Sequence, residues 1–270
     1  MDLDGTLLGG LPDRYGISPA ALASVRACVD RGIHIAIVTG REWSFIAGLL
    51  TDHEIRPNDE GFPHAVVSDE RDIRYWSPAD PDSYREDFDW NHRLGAEERR
   101  TFSAADRLVE SLWASALQVV DPQCRRPAHE TQVKRGYVEI KFSSKESASA
   151  CASLIDEALR ASGLPLRAIR NNKGVTLRHP DANKGNALCR VAQVLGIPSQ
   201  AVLAIGDSQN DVSMLDGRHG FRSATVANAD GDALAAVRRA GGSVSKQGFG
   251  DGVAEHLRAI LTPYEERQRA

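Results

Sequence analysis

Apolar positions in the first third of the chain follow two alternating rhythms. After Ser18-Pro19, a suitable cap and first-turn pair, Leu22, Val25 and Val29 recur at helical spacing until Gly32 stops them. Ile33 to Val38 is then almost continuously apolar, as a parallel strand covered on both faces should be. Arg41 to Leu50 reads as the next helix and His64 to Val67 as a further short strand. This is βαβ order, and it predicts a doubly wound sheet.

The rhythm changes between about residues 76 and 178. Asp80 to Asp89 is acidic and turn-rich, as in a solvated linker. Glu97 to Trp113 reads as helix and Leu117 to Val120 as strand. In Tyr137 to Phe142, Val138, Ile140 and Phe142 alternate with Glu139 and Lys141, which predicts a strand with one wet face. Ser147 to Ala161 is an amphipathic helix with Cys151, Leu154, Ile155 and Leu159 on one side. Leu166 to Arg170 and Val175 to Arg178 flank Asn171-Asn172-Lys173-Gly174, a hairpin turn. The first grammar then returns: a helix from Lys184 to Leu195, a strand from Ala201 to Ile205, and a helix near Asp211. A strand from Ala224 to Ala227 and helices from Asp232 to Arg239 and Val253 to Leu261 complete it. The expected organisation is an α/β, parallel-sheet core from residues 1–75 and 179–270, enclosing an inserted α+β domain at 76–178.

Composition narrows the function. The 270 residues are 41% hydrophobic and 26% charged, ordinary for a globular protein. A net charge of −4 lacks the basic excess of a nucleic-acid partner. No apolar stretch approaches the ~20 residues needed to span a bilayer, so no membrane association is expected. No signal peptide is visible either. Cys28, Cys124, Cys151 and Cys189 form no C-x-x-C pair and read as buried, reduced thiols of a cytoplasmic protein. A monomer or small homo-oligomer is expected.

Four short stretches stand where strands end or helices open, the ligand-binding positions of open α/β sheets. They are Asp2-Leu3-Asp4-Gly5-Thr6, Val38-Thr39-Gly40-Arg41, Asn183-Lys184-Gly185, and Gly206-Asp207-Ser208-Gln209-Asn210-Asp211. Singly, each has a structural explanation as a turn, a strand end, an exposed cation or a capped loop. Jointly, Asp2, Asp4, Asp207 and Asp211 would crowd negative charge into one cleft. Two carboxylates about 4 Å apart repel by roughly 4 kcal/mol at an effective dielectric of about 20. A hard divalent cation relieves that, and Mg²⁺ favours a few carboxylates with water and a phosphate oxygen. Thr39, Gly40, Lys184 and Asn210 would supply donors to phosphoryl oxygens. An aspartate nucleophile would divide hydrolysis into two easier steps.

These four stretches resemble the four motifs of the haloacid dehalogenase superfamily. The resemblance implies a Rossmann-like core and a phosphatase that uses Mg²⁺ and acts on a small phosphorylated metabolite such as a sugar phosphate. It implies that Asp2 is nucleophile and metal ligand. Asp4 would be the general acid/base, ligating the metal through its carbonyl. Thr39 and Lys184 would hold the phosphate, Asp207 would bind Mg²⁺, and Asp211 would support it. The insert lies between the second and third motifs, and Gly206 to Asp211 is followed by Met214-Leu215. Both features are similar to Cof-type phosphatases, sucrose-phosphate phosphatases and phosphomannomutases, whose insert is a cap that opens, closes and selects substrate. The insert's basic residues, Arg125, Arg126, Lys134, Arg135, Lys141, Arg167, Arg170 and Lys173, are mostly surface by expectation, with one or two facing an anionic substrate. A phosphomutase and a non-catalytic ligand-binding protein are the alternatives. In the resembling fold an apolar strand precedes the first aspartate, whereas here Met1 alone does. The expectation is that Met1 to Asp4 cannot supply that strand's pairing, and that translation begins upstream with roughly five to ten more residues.

Overall fold

The computed structural model describes residues 1–11, 15–57, 61–77 and 84–269, excluding side chains beyond residue 262. The chain divides into two compact units, Met1–Asp87 with Asn183–Ala270, and Phe88–Ala182.

In the first unit the Ser18 hydroxyl accepts from the Ala21 amide at 3.2 Å and opens the helix Pro19–Val29, which buries Ala21, Val25 and Cys28. β1 (Ala36–Val38) is shorter than its apolar run. Just before it, the Ile35 amide donates to the His64 ring at 3.1 Å instead of to a neighbouring strand. After the helix Trp43–Asp52, β2 (Ala65–Ser68) lies parallel to β1 with Ala36 opposite Ala65. β3 (Asp72–Trp76) turns back antiparallel on β2, and β4 (Tyr84–Glu86) pairs antiparallel with β3. Trp76 and Tyr84 to Glu86, which sequence patterning placed in the insert, therefore belong to this sheet. Residues 80–83 of the acidic stretch lie outside the described residues.

The inserted unit opens with a long helix, Phe88–Leu112, that continues through a π-turn, Trp113–Leu117, into Gln118–Val120. The strand expected at Leu117 to Val120 is thus helical. Only Leu117 is buried there, Val119 and Val120 are exposed, and the Asp121 amide closes a helical bond to the Leu117 carbonyl at 2.9 Å. β5 (Val138–Lys141) follows. Its wet face is drier than alternation predicts, because Glu139 is buried between Arg135 and Lys141 and its amide donates to Gln132. The helix Lys145–Ser162 buries Cys151, Ile155 and Leu159, but leaves Leu154 exposed. β6 (Arg167–Asn171) and β7 (Gly174–Arg178) form the expected hairpin, with Asn172 in the left-handed region (φ 51°) that asparagine tolerates. The antiparallel sheet runs β5-β7-β6.

Back in the first unit, helix Lys184–Val194 leads to β8 (Leu203–Ile205), β9 (Arg222–Thr225) and β10 (Ser243–Val244), a parallel sheet. Helices Gly231–Arg239 and Phe249–Arg269 complete the unit. Met1 and Asp2 lie between its two sheets. The Met1 amino group donates to the Ala36 carbonyl (2.8 Å), Val38 N to the Met1 carbonyl (2.9 Å), and Asp2 N to the Ile205 carbonyl (2.9 Å). Met1 and Asp2 thus make central-strand bonds that the sequence reading did not expect of them. A cavity of about 500 Å³, lined by Met1, Ile33, Ile35, Leu188, Leu203 and Ile260 among others, lies by the N-terminal ends of β1 and β8. It is mainly apolar and contains none of the motif carboxylates. Among the described residues no helix is long and apolar enough to cross a membrane.

Candidate active site

The motif residues gather beyond the opposite, C-terminal ends of β1 and β8. Asp2 is placed there by its amide bond to Ile205. The chain then turns sharply, with Thr6 N and Leu8 N both donating to the Leu3 carbonyl. Gly5 sits at φ 81°, where a Cβ would come within 2.3 Å of Asp207 Oδ2. Only glycine allows the turn to approach the carboxylate so closely. Thr6 Oγ1 donates to Asp207 Oδ1 at 2.7 Å and ties the first motif to the fourth.

The fourth motif is a loop closed by its own last carboxylate. Asp211 Oδ2 accepts from Asp207 N and Ser208 N, both at 3.0 Å. Gly206 has no room for a side chain, since a Cβ there would lie 2.5 Å from Asp211 Cγ. Lys184, at the start of its helix, reaches in with Nζ 2.7 Å from Asp2 Oδ1 and 2.6 Å from Asp211 Oδ1. It is 1% exposed, Asp2 3% and Asp211 0%. Lys184 is therefore not the exposed cation that a lone lysine suggests. Thr39 is buried, and its Oγ1 accepts from Arg41 N at 3.2 Å. Asn210 donates its amide to Glu70 Oε1 at 2.7 Å.

Electrostatics sets this cluster apart. Ligand oxygens of Asp2, Asp207 and Asp211 lie within 4.8 Å of one another. Burial raises the Asp2 carboxyl well above its usual range, and the Asp211 charge adds to this against the opposing pull of Lys184. Asp207 is pushed up to about 7 by burial and then by Asp211, against the Thr6 hydrogen bond. Lys184 shifts upward: burial pulls it down, but Asp2 and Asp211 outweigh that. Three carboxylates face one ammonium group, so full ionisation would leave an excess of negative charge, and without a cation the raised Asp2 and Asp207 carboxyls relieve it by holding protons. Hard oxygen donors this close are a fitting set for a small divalent cation such as Mg²⁺.

Asp4 stands apart from the carboxylate crowding that the sequence suggested, although metal ligation through its carbonyl, as the resemblance implies, does not need its side chain there. Its side chain is not part of the three-oxygen cluster. Arg41 and Tyr15 hold it instead: Arg41 Nε donates to Oδ2 at 2.8 Å, Arg41 Nη2 to Oδ1 at 2.6 Å, and the Tyr15 hydroxyl to Oδ1. Burial raises the Asp4 carboxyl, but the bonds from Arg41 and Tyr15 outweigh it and hold it below the usual range. Tyr15, Arg41 and Glu70, which contact the candidate residues Asp4 and Asn210, were not among the residues singled out from the sequence. Arg41 carried a signal, since it directly follows Thr39-Gly40; Tyr15 and Glu70 carried none.

Residues 1–89 and 135–257 match the model of the haloacid dehalogenase-like hydrolases. The chain belongs to this family, and it is a phosphatase of the Cof-type branch that its motifs resembled. It is 27% identical over 271 residues to a phosphoglycolate phosphatase of Methanoculleus marisnigri, covering 97% of this chain and 95% of that one. It is 22% identical to the 5-amino-6-(5-phospho-D-ribitylamino)uracil phosphatase of Bacillus subtilis, covering 96% and 93% respectively. In fold it is similar to the sucrose-phosphatase of Synechocystis, solved with sucrose and phosphate, with a TM-score of 0.71 and 19% identity over 96% and 95% of the two chains.

Proposed function

We propose that the protein is a Mg²⁺-dependent phosphomonoester hydrolase that removes phosphate from a small metabolite through a phospho-aspartate on Asp2. The observation that carries this reading is the buried cluster in which Lys184 bridges Asp2 and Asp211 beside Asp207. Ionising all three carboxyls is costly in a resting protein, as the raised Asp2 and Asp207 show, and a cation between the carboxylates would offset that cost.

In this mechanism an Asp2 oxygen forms a bond to phosphorus as the bond from phosphorus to the substrate's bridging oxygen breaks. Asp4 must carry a proton for this step, so its bonds to Arg41 and Tyr15, which favour the carboxylate, would have to loosen as substrate binds. It then gives that proton to the bridging oxygen, which leaves as an alcohol. Asp4, now a carboxylate, takes a proton from water as the water attacks the phospho-aspartate, and phosphate is released with Asp2 restored. Lys184 keeps Asp2 oriented and offsets the charge developing around it. When bound, Mg²⁺ on Asp2, Asp207, Asp211 and the Asp4 carbonyl supplies charge neutralisation for the phosphoryl oxygens. Thr39, the Gly40 amide and Asn210 complete the phosphate contacts. Substrate choice is assigned to the inserted unit, because every motif residue belongs to the other one.

The test is a screen of phosphoglycolate, sugar phosphates and nucleotides with Mg²⁺, followed by acid quench during turnover of a labelled substrate. The expected result is release of inorganic phosphate without any bisphosphorylated activator, and an alkali-labile phosphate on the quenched parent protein that is missing from Asp2→Asn. Turnover without label on the protein, or label that persists in Asp2→Asn, would overturn the covalent route.

A further inference from the structure

The turn that follows β2 carries two consecutive residues in the left-handed region, Asp69 at φ 49° and Glu70 at φ 56°. Their amides tie it to the second motif: Asp69 N donates to the Arg41 carbonyl and Glu70 N to the Thr39 carbonyl, both at 2.9 Å. The Glu70 side chain continues to the fourth motif. It is 4% exposed, and its Oε1 accepts from Asn210 Nδ2 at 2.7 Å. At the other end of the same amide, Asn210 Oδ1 accepts from the Ser208 hydroxyl at 2.5 Å. A carboxylate offers only acceptors, so Glu70 dictates which end of the Asn210 amide is the nitrogen. With both ends engaged the amide has one orientation, and its nitrogen has a second N–H beyond the one given to Glu70.

Local stability does not account for a glutamate at this position. A left-handed backbone is strained for a residue with a Cβ and suits glycine, and burying a carboxylate carries a further desolvation cost. What the glutamate adds is the bond to Asn210. We propose that Glu70 is a positioning residue, whose carboxylate holds the Asn210 amide with its nitrogen turned toward the phosphoryl group while its backbone anchors the turn at Thr39. This rests on the reading of Asn210 as a phosphoryl donor. Every residue involved belongs to the first unit.

Three substitutions separate that role from a purely structural one, with the affinity for inorganic phosphate in the presence of Mg²⁺, read by titration calorimetry, as the measure. Glu70→Ala keeps the backbone strain and loses the carboxylate, Glu70→Gly loses both, and Glu70→Gln keeps an acceptor for Asn210. Glu70→Gly should therefore melt higher than Glu70→Ala. Both should nevertheless weaken phosphate binding by about tenfold, the contribution of one hydrogen bond to a charged group. Glu70→Gln should stay within about threefold of the parent. Placed in Asn210→Ala, Glu70→Gly should weaken binding little further, because its effect runs through that amide. An affinity that follows melting temperature, with Glu70→Gly restored to the parent's level, would overturn the proposal, and so would equal losses in Glu70→Gln and Glu70→Ala. Asn210→Ala alone distinguishes the failures. If it binds phosphate as tightly as the parent, or the parent takes up none, the reading of Asn210 as donor falls and the proposal with it. If it binds weakly and the Glu70 variants do not, only the positioning role falls.

Discussion

Each of the two units buries charge, and they do so in opposite ways. In the inserted unit Arg178 and Glu98 are 2% and 1% exposed, and their charges match one to one. Arg178 Nε donates to Glu98 Oε1 at 2.6 Å, His179 N donates to the same oxygen, and the guanidinium lies over the Tyr137 ring at 4.0 Å. Nothing is left over for a ligand. In the other unit Lys184 is equally buried but faces Asp2, Asp211 and the adjacent Asp207, so full ionisation would leave a negative surplus that no residue of the cluster balances. Burial alone therefore does not mark a functional charge. An unbalanced sum does, because a protein tolerates it only where a cation or a reacting anion completes the set.

This contrast can be broken from either side. The largest effect should come from Asp2→Asn, with a loss of phosphatase activity of about a thousandfold or more. Since burial already disfavours the charged form of Asp2, the metal-free melting temperature should hold or rise. A fall in melting temperature together with substantial residual phosphate release would contradict both halves. Next, Glu98→Gln leaves Arg178 buried without its counter-charge and should cost about 3–5 kcal/mol by urea denaturation. A cost below about 1 kcal/mol would mean that charge balance does not hold the insert together.

A smaller effect is expected from Mg²⁺ and pH. The Asp207 carboxyl in the folded protein is raised to about 7, so the folded state holds its proton more tightly than the unfolded chain does. Its contribution to metal-free stability is complete below about pH 4 and is lost as pH rises through about 7. Mg²⁺ binds the deprotonated form, so it should raise the melting temperature by several degrees at about pH 8 and hardly at about pH 5.5. Equal shifts at the two pH values would dismiss Asp207 as a ligand. The smallest effect belongs to Ser144→Ala, which removes the cap accepting from Ser147 N at 3.0 Å. It should cost about 1 kcal/mol of stability and leave the Mg²⁺ dependence unchanged; a change in that dependence would show that the insert's stability feeds into the metal site.

Much of the site was legible because its chemistry sits where a one-dimensional pattern changes. Thr39 and Asp207 each follow a buried apolar run, and Lys184 opens an amphipathic helix, so residue type and position agreed. Tyr15 and Glu70 had no such marker. Tyr15 reaches Asp4 only because Leu8 meets Ile17, and Glu70 reaches Asn210 from a turn where its own φ is 56°. Both depend on tertiary approach between loops, which no local period encodes. Leu117 to Val120 was misread for a related reason: its β-branched residues favour a strand, but they face solvent at the end of a helix with no neighbouring strand to pair with. Glu139 kept the period-2 pattern, but its charge was neutralised by Arg135 and Lys141 on either side, so its burial was invisible in alternation alone.

The closed loop from Gly206 to Asp211 has a consequence for recognition. Asp211 fixes the Asp207 and Ser208 amides, Ser208 and Asn210 are joined by a 2.5 Å bond, and the Asp230 amide fixes the Asp207 carbonyl at 2.8 Å. A loop that had to be ordered by its ligand would subtract roughly 1–2 kcal/mol per residue from the affinity. Here that ordering is completed during folding, so association draws mainly on the ligand's own lost freedom. If this loop receives the phosphoryl group as proposed, inorganic phosphate should be a competent competitor of substrate, which inhibition of turnover by added phosphate would show.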